Sequence, residues 1–150
     1  MKHVLKQLFA FAAVLFMLSS TAAANSSTFA QEVLDLVNVE RAKAGVSPLI
    51  LMDELTERAD IRAEEIVNYF SHTRPDGTSC FTVLKGIRYR TVSENIAAGN
   101  STPEAVVDQW MHSPGHRANI LKSDFKYLGL GYCYYENSEY GHYWVQLFVG

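Results

Sequence analysis

The stretch Trp110–Leu121 reads WMHSPGHRANIL and sets the plan for the rest of the chain. An aromatic, two histidines, an arginine and an asparagine surround a Ser-Pro-Gly sequence. Pro114 lacks an N–H and disfavours helical geometry at Ser113, so it is expected to end the preceding helix. Gly115 is expected to let the chain reverse. His116 would then sit on backbone that has just turned a corner, in a fixed place. Trp110, Ile120 and Leu121 are the apolar anchors on either side, and Arg117 to Leu121 reads as one more helical turn.

Working outward, Thr102 has the chemistry of an N-cap and Pro103 that of a first helical residue, with Val106, Val107, Trp110 and Met111 on the buried side. His112, on the last turn, is expected to be exposed, where partial positive charge suits a helix C-terminus. Upstream, Ser93 to Gly99 (SENIAAG) reads as a short buried segment with Glu94 and Asn95 at its mouth. A carboxylate entering buried structure needs a cation, a histidine or several N–H groups. Downstream, Leu128 to Tyr135 alternates in period two and His142 to Val149 returns, with 136–141 as the hairpin loop. Gly129 and Gly131 mark a face that another element approaches closely.

Two helices come first. One runs over about 29–44, with Thr28 and Gln31 at capping-box spacing and Gly45 as the stop. Glu40 and Arg41 are read as its solvated side. The second starts at a capping Asp53, carries the stripe Leu55, Ala59, Ala63, Ile66 and Phe70, and runs to about Tyr69. His72 follows at its exit, ahead of the rigid turn Pro75-Asp76-Gly77. Residues 78–85 read as a short helix carrying Cys80. Helices first, a hairpin last and one short strand between give an α+β domain, with helices on both sides of a small, mostly antiparallel sheet.

The chain has 150 residues and a formal net charge of −3. Lys2, His3 and Lys6, the apolar run from Leu8 to Leu18 and Ala22-Ala23-Ala24 read as a secretory signal peptide over 1–24, leaving one domain at 25–150. A signal anchor that is never cleaved is the alternative, but the apolar run is short for a bilayer. In the mature chain eleven basic residues face sixteen acidic ones. That excludes the basic face a nucleic-acid partner needs, and no second apolar run predicts a membrane span. In an oxidising destination Cys80 and Cys133 are expected to form a disulfide, closing a loop of about fifty residues worth roughly 4 kcal/mol by chain entropy. A reactive thiol or an unpaired duo is the competing reading.

The segments LVNVERAKAG, FSHTRPDG, SENIAAG, WMHSPGHRANIL and GHYWVQLF, in that order, resemble the CAP superfamily (the SCP-like extracellular or pathogenesis-related 1 domain) in a single-domain bacterial form. The resemblance covers about Phe29 to Phe148. It implies a three-layer α/β/α sandwich and a central cleft where two histidines and two acidic residues hold a divalent cation, zinc or similar. His72 and Glu94 match the first histidine and the first glutamate. Ser113 stands where the second acid is expected, and Tyr143 where the second histidine is. His142 is one residue out of register, which on a strand points it to the opposite face. His116 is the replacement suggested by its own placement, making His72, His116 and Glu94 the candidate ligands and Ser113 and Tyr143 further cleft residues.

The resemblance implies a secreted binding module for a small-molecule, lipid or peptide ligand. The alternative is a metal-dependent hydrolase or peptidase with Glu94 as base and His116 assisting. Against it, the chain carries neither an HExxH helix nor a G-x-S-x-G elbow.

Overall fold

The structure, a computed structural model, describes residues 28–150. The expected signal peptide over 1–24 lies outside the described residues. Helix α1 spans 28–43, strand β1 Ile50–Leu51, helix α2 Asp53–Asn68, a 3-10 helix Cys80–Leu84, and strand β2 Val92–Ala98. Helices α3 (Pro103–Met111) and α4 (Pro114–Ile120) follow, then strands β3 (Tyr127–Tyr134) and β4 (His142–Val149). The sheet order is β1-β3-β4-β2. Three of its strands are antiparallel neighbours, and β1 pairs in parallel with β3.

Strand alternation splits the interior into two cores. Leu128, Leu130, Trp144 and Phe148 pack against Val33 and Val37 of α1, Val106 and Trp110 of α3 and Ile120 of α4. On the opposite face, Ile96, Tyr143, Val145 and Leu147 pack against Leu55, Ala59, Ala63 and Ile66 of α2 and against Val83 and Leu84. This is the expected α/β/α sandwich.

The two strand glycines bring α2 onto the sheet. A Cβ on Gly129 would fall on the backbone of Leu55, and one on Gly131 would land on the carbonyl of Ala59. Only a residue without a side chain lets the helix lie this close.

Four local readings are corrected. Pro114 opens α4 as its first residue rather than merely closing α3, because a proline ring suits the first helical position, where no N–H is needed. Gly115 is therefore helical and is not among the glycines with positive φ. The reversal occurs at His112 and Ser113, the C-cap of α3 and the N-cap of α4. Asp53 is the first residue of α2, not its cap, since Met52 holds the cap position.

The fourth correction is Arg41. It is 0% exposed, although the sequence reading placed it on a solvated face. Its guanidinium donates to the carbonyls of Ser47 (2.7 Å), Ile120 (2.7 Å), Lys122 (3.0 Å) and Phe125 (3.3 Å). It thus satisfies the carbonyl of Ile120 at the end of α4, which has no helical partner, and ties α1 to the segment that follows α4. Burial lowers its pKa.

Candidate functional site

β2 is one of the two edge strands, and its residues alternate between the two cores. Glu94, opposite Leu147, faces the α2 side. Asn95, opposite Gln146, faces the other. Glu94 is 5% exposed, and its expected need for partners is met. Arg62 of α2, 0% exposed, donates from Nε to Oε2 at 2.8 Å and from Nη2 to Oε1 at 3.2 Å. His72 Nδ1 lies 2.8 Å from Oε1. Burial pushes the Glu94 carboxyl up, but hydrogen bonds from His72 and Arg62 outweigh it and hold the group below the ordinary carboxylate value. An ionised carboxylate only accepts, so the His72 proton sits on Nδ1, and Nε2 keeps a lone pair in the neutral ring.

Arg62 is the residue that the sequence reading missed. It also donates to Glu65 (2.6 Å) and to the carbonyl of Ser71 (2.7 Å). Glu65 in turn holds Arg74 through both oxygens. The chain Glu94–Arg62–Glu65–Arg74 alternates in charge and fixes the loop that carries His72. Burial pulls the Arg62 pKa down, while Glu94 and Glu65 raise it to a net upward shift. A signal was present: Arg62 falls on the α2 stripe between Ala59 and Ile66, where a charge has no business unless it is paired.

The loop after α2 closes on itself. Cys80 N–H donates to the His72 carbonyl at 3.0 Å, Thr73 bridges Ser79, and Arg74 N–H donates to Thr78 O at 2.8 Å. Asp76 accepts from the N–H and hydroxyl of Thr78, and Gly77 has φ +83°. His72 and Cys80 therefore stand side by side at the open end of the loop. Ligand atoms of His72, Cys80 and Glu94 all lie within 4.8 Å of one another.

The expected Cys80–Cys133 disulfide is not formed; both cysteines are free. The two thiols occupy different surroundings. Cys80 lies beside Glu94 and His72, whereas Cys133 donates to the carbonyl of Ala63 at 3.3 Å. Burial, with the Glu94 charge beside it, pushes the Cys80 thiol up to about 11. Burial likewise pushes Cys133 up to about 12.

α4 supplies His116 from the other side. Asn95 docks that helix: its Nδ2 donates to the His116 carbonyl (3.2 Å) and to Gln146 Oε1 (3.0 Å), and its Oδ1 accepts from Asn119 (2.8 Å). Asn95 is thus fully buried, not at a mouth. His116 Nδ1 is buried with no hydrogen-bond partner among the described residues. Burial and then the nearby His72 lower its pKa. His116 does not join the set of mutually close ligand atoms, which contains Cys80 in its place.

The remaining candidates are dispersed. Ser113 is the N-cap of α4 and makes no side-chain cap hydrogen bond. Tyr143 is 1% exposed in the core under α2, and its hydroxyl accepts from the N–H of Tyr140. His142 lies on the opposite face of β4 from Tyr143, with Nδ1 2.9 Å from the Tyr132 hydroxyl. His112 is exposed at the end of α3, 2.9 Å from the Asp108 carbonyl.

Residues 34–148 match the family CAP, described as the cysteine-rich secretory protein family. The protein YkwD of Bacillus subtilis (strain 168) is 40% identical over 136 residues, which cover 88% of this chain and 51% of YkwD. The chain thus spans about half the length of that curated relative. Among solved structures, an extracellular protein containing a SCP domain from Bacillus anthracis str. Ames superposes with a TM-score of 0.73 at 28% identity. That match covers 82% of this chain and 40% of the other. An outer surface protein from Borrelia burgdorferi shares the fold, with a TM-score of 0.68 at 22% identity over 77% of this chain and 87% of that one. No helix among the described residues is long and apolar enough to cross a membrane.

Proposed function

The chain belongs to the CAP family, and from that premise we propose that it acts outside the cell as a binding module. Its cleft over the β2 edge takes a small-molecule, lipid or peptide ligand with the help of a divalent cation, zinc or one like it. The observation that carries this is the convergence of His72, Cys80 and Glu94 ligand atoms within 4.8 Å. Export through a signal peptide over 1–24, leaving 25–150 as the mature domain, is part of the proposal. The description of the Bacillus anthracis relative as an extracellular protein supports it.

The residues fit such a cation. A proton lies between His72 Nδ1 and Glu94 Oε1, 2.8 Å apart; a cation in its place would draw on both atoms, with the ring proton carried on Nε2 instead. His116 stands outside this cluster but near enough for His72 to lower its pKa, and its buried Nδ1 has no hydrogen-bond partner among the described residues. A bound cation would supply Lewis acidity, polarising an oxygen of the ligand.

The chemistry of the same groups disfavours the hydrolase alternative. Glu94, held ionised by His72 and Arg62, is a weak proton acceptor. Cys80, pushed up to about 11, is mostly thiol at neutral pH and a poor free nucleophile.

Zinc titration by calorimetry tests the proposal. One ion per chain is expected to bind, with His72→Ala weakening it about tenfold or more and His142→Ala leaving it unchanged. An equal loss in His142→Ala, or no binding by the wild type, would overturn it.

A further inference from the structure

We propose that Cys80 is itself a ligand, so that the cation is held by thiolate, imidazole and carboxylate together and the site selects zinc-class metals over calcium and magnesium. This rests on the cation-holding reading above and adds a ligand and a metal class to it.

The geometry comes from two rigid pieces. The 72–80 loop is closed by the Cys80 N–H to His72 carbonyl bond, the Thr73–Ser79 bridge and the Arg74–Thr78 bond. In an antiparallel pairing with Thr73 opposite Ser79, His72 and Cys80 are the next pair across. Two donors therefore arrive together on one preformed loop. The third, Glu94, is fixed on β2 and braced from behind by Arg62. Arg62 takes one lone pair on each Glu94 oxygen, and the second lone pair of Oε1, which accepts from His72 Nδ1–H, is the one a cation would take over. Bond lengths of about 2.0–2.3 Å around a tetrahedral ion put neighbouring ligand atoms about 3.3–3.8 Å apart. Atoms already within 4.8 Å reach that with small side-chain shifts.

Cys80 is 3% exposed and carries no disulfide. The other thiol, on Cys133, is directed to the Ala63 carbonyl. His72 has a side chain 57% exposed, so a coordination position stays open toward solvent, where a ligand atom can replace water. On binding, the Cys80 S–H proton leaves to solvent as the sulfur–metal bond forms, with no change of oxidation state. Thiolate and imidazole favour zinc and its neighbours, whereas calcium and magnesium require oxygen shells.

Cobalt(II) under reductant and without oxygen reads the inference directly. The wild type is expected to bind one ion with a thiolate-to-cobalt charge-transfer band in the near ultraviolet. Cys80→Ser should lose that band while Cys133→Ser keeps it, and zinc affinity should fall about 10–100-fold in Cys80→Ser only. Bound zinc should also protect Cys80 of the wild type from alkylation, mapped by mass spectrometry, a readout that needs no variant to fold. Cobalt bound without the band, or with a band that survives Cys80→Ser, would overturn the Cys80 ligand and leave the cation reading standing. No cobalt or zinc binding by the wild type would overturn both.

Discussion

Removing the Arg62 guanidinium would leave Glu94 ionised, buried and without its main partner. Arg62→Leu is therefore expected to cost about 3–5 kcal/mol, and Arg62→Leu with Glu94→Leu to recover much of that loss, because an apolar pair needs no counter-charge. Urea denaturation of the two variants checks this; a double variant as unstable as the single would contradict it. Arg41 makes the opposite case, a cation held by carbonyls alone. Lysine cannot reach four of them with one ammonium, so Arg41→Lys should destabilise by about 2–3 kcal/mol, read by the same denaturation.

The folded pKa values of Glu94 and Glu65 lie below their unfolded ones. Their contribution is therefore complete above the unfolded carboxylate value, about 4.3, and is lost as pH falls through the folded values. His116, also lowered, adds a loss of the same sign starting below about 6.5. Denaturation across pH 7 to 3 should show wild-type stability falling with acid. Glu94→Gln should show a flatter profile at the lower end, and an unchanged slope would contradict the assignment. Both buried arginines were legible in principle. Arg41 follows Val33 and Val37 at four-residue steps, and Arg62 sits between Ala59 and Ile66. A charge inside an apolar stripe says that the helix carries a partner into the core, but periodicity alone does not say which partner.

At the scale of elements, the glycines make the sharpest contrast. Gly131→Ala would drive a methyl onto the Ala59 carbonyl. With backbone on both sides there is nothing soft to yield, so a loss of about 3 kcal/mol or more is expected. Gly115 has open space around it and ordinary helical φ, so Gly115→Ala should be neutral or stabilise by up to about 1 kcal/mol. Melting of the two variants checks both signs. The close approach at Gly129 and Gly131 was legible because a strand has little other use for glycine. β1 was not, because two residues leave no period to detect. The Ser-Pro-Gly stretch was read as a turn when its proline begins a helix, since proline ends one helix and starts another with equal ease.

For the whole molecule, strand alternation and helix stripes made the three-layer order readable, and the order of motifs made the family readable. The candidate site was only half readable. His72, Cys80, Glu94 and His116 lie on a loop, the start of a 3-10 helix, an edge strand and α4. Their mutual distances depend on how those elements pack. Compartment reasoning assigned Cys80 to a disulfide, and packing gave it to His72 and Glu94 instead. Two thiols per chain should titrate in denaturant without reductant; none would restore the bridge and remove Cys80 from the cleft.

The most direct test of the proposed site is a zinc-soaked crystal examined by anomalous diffraction at the zinc edge. A peak within bonding distance of His72 and Cys80, beside Glu94, is the result expected. A cleft without a peak at millimolar zinc, or a peak only at surface groups such as His112 and Asp108, would contradict it.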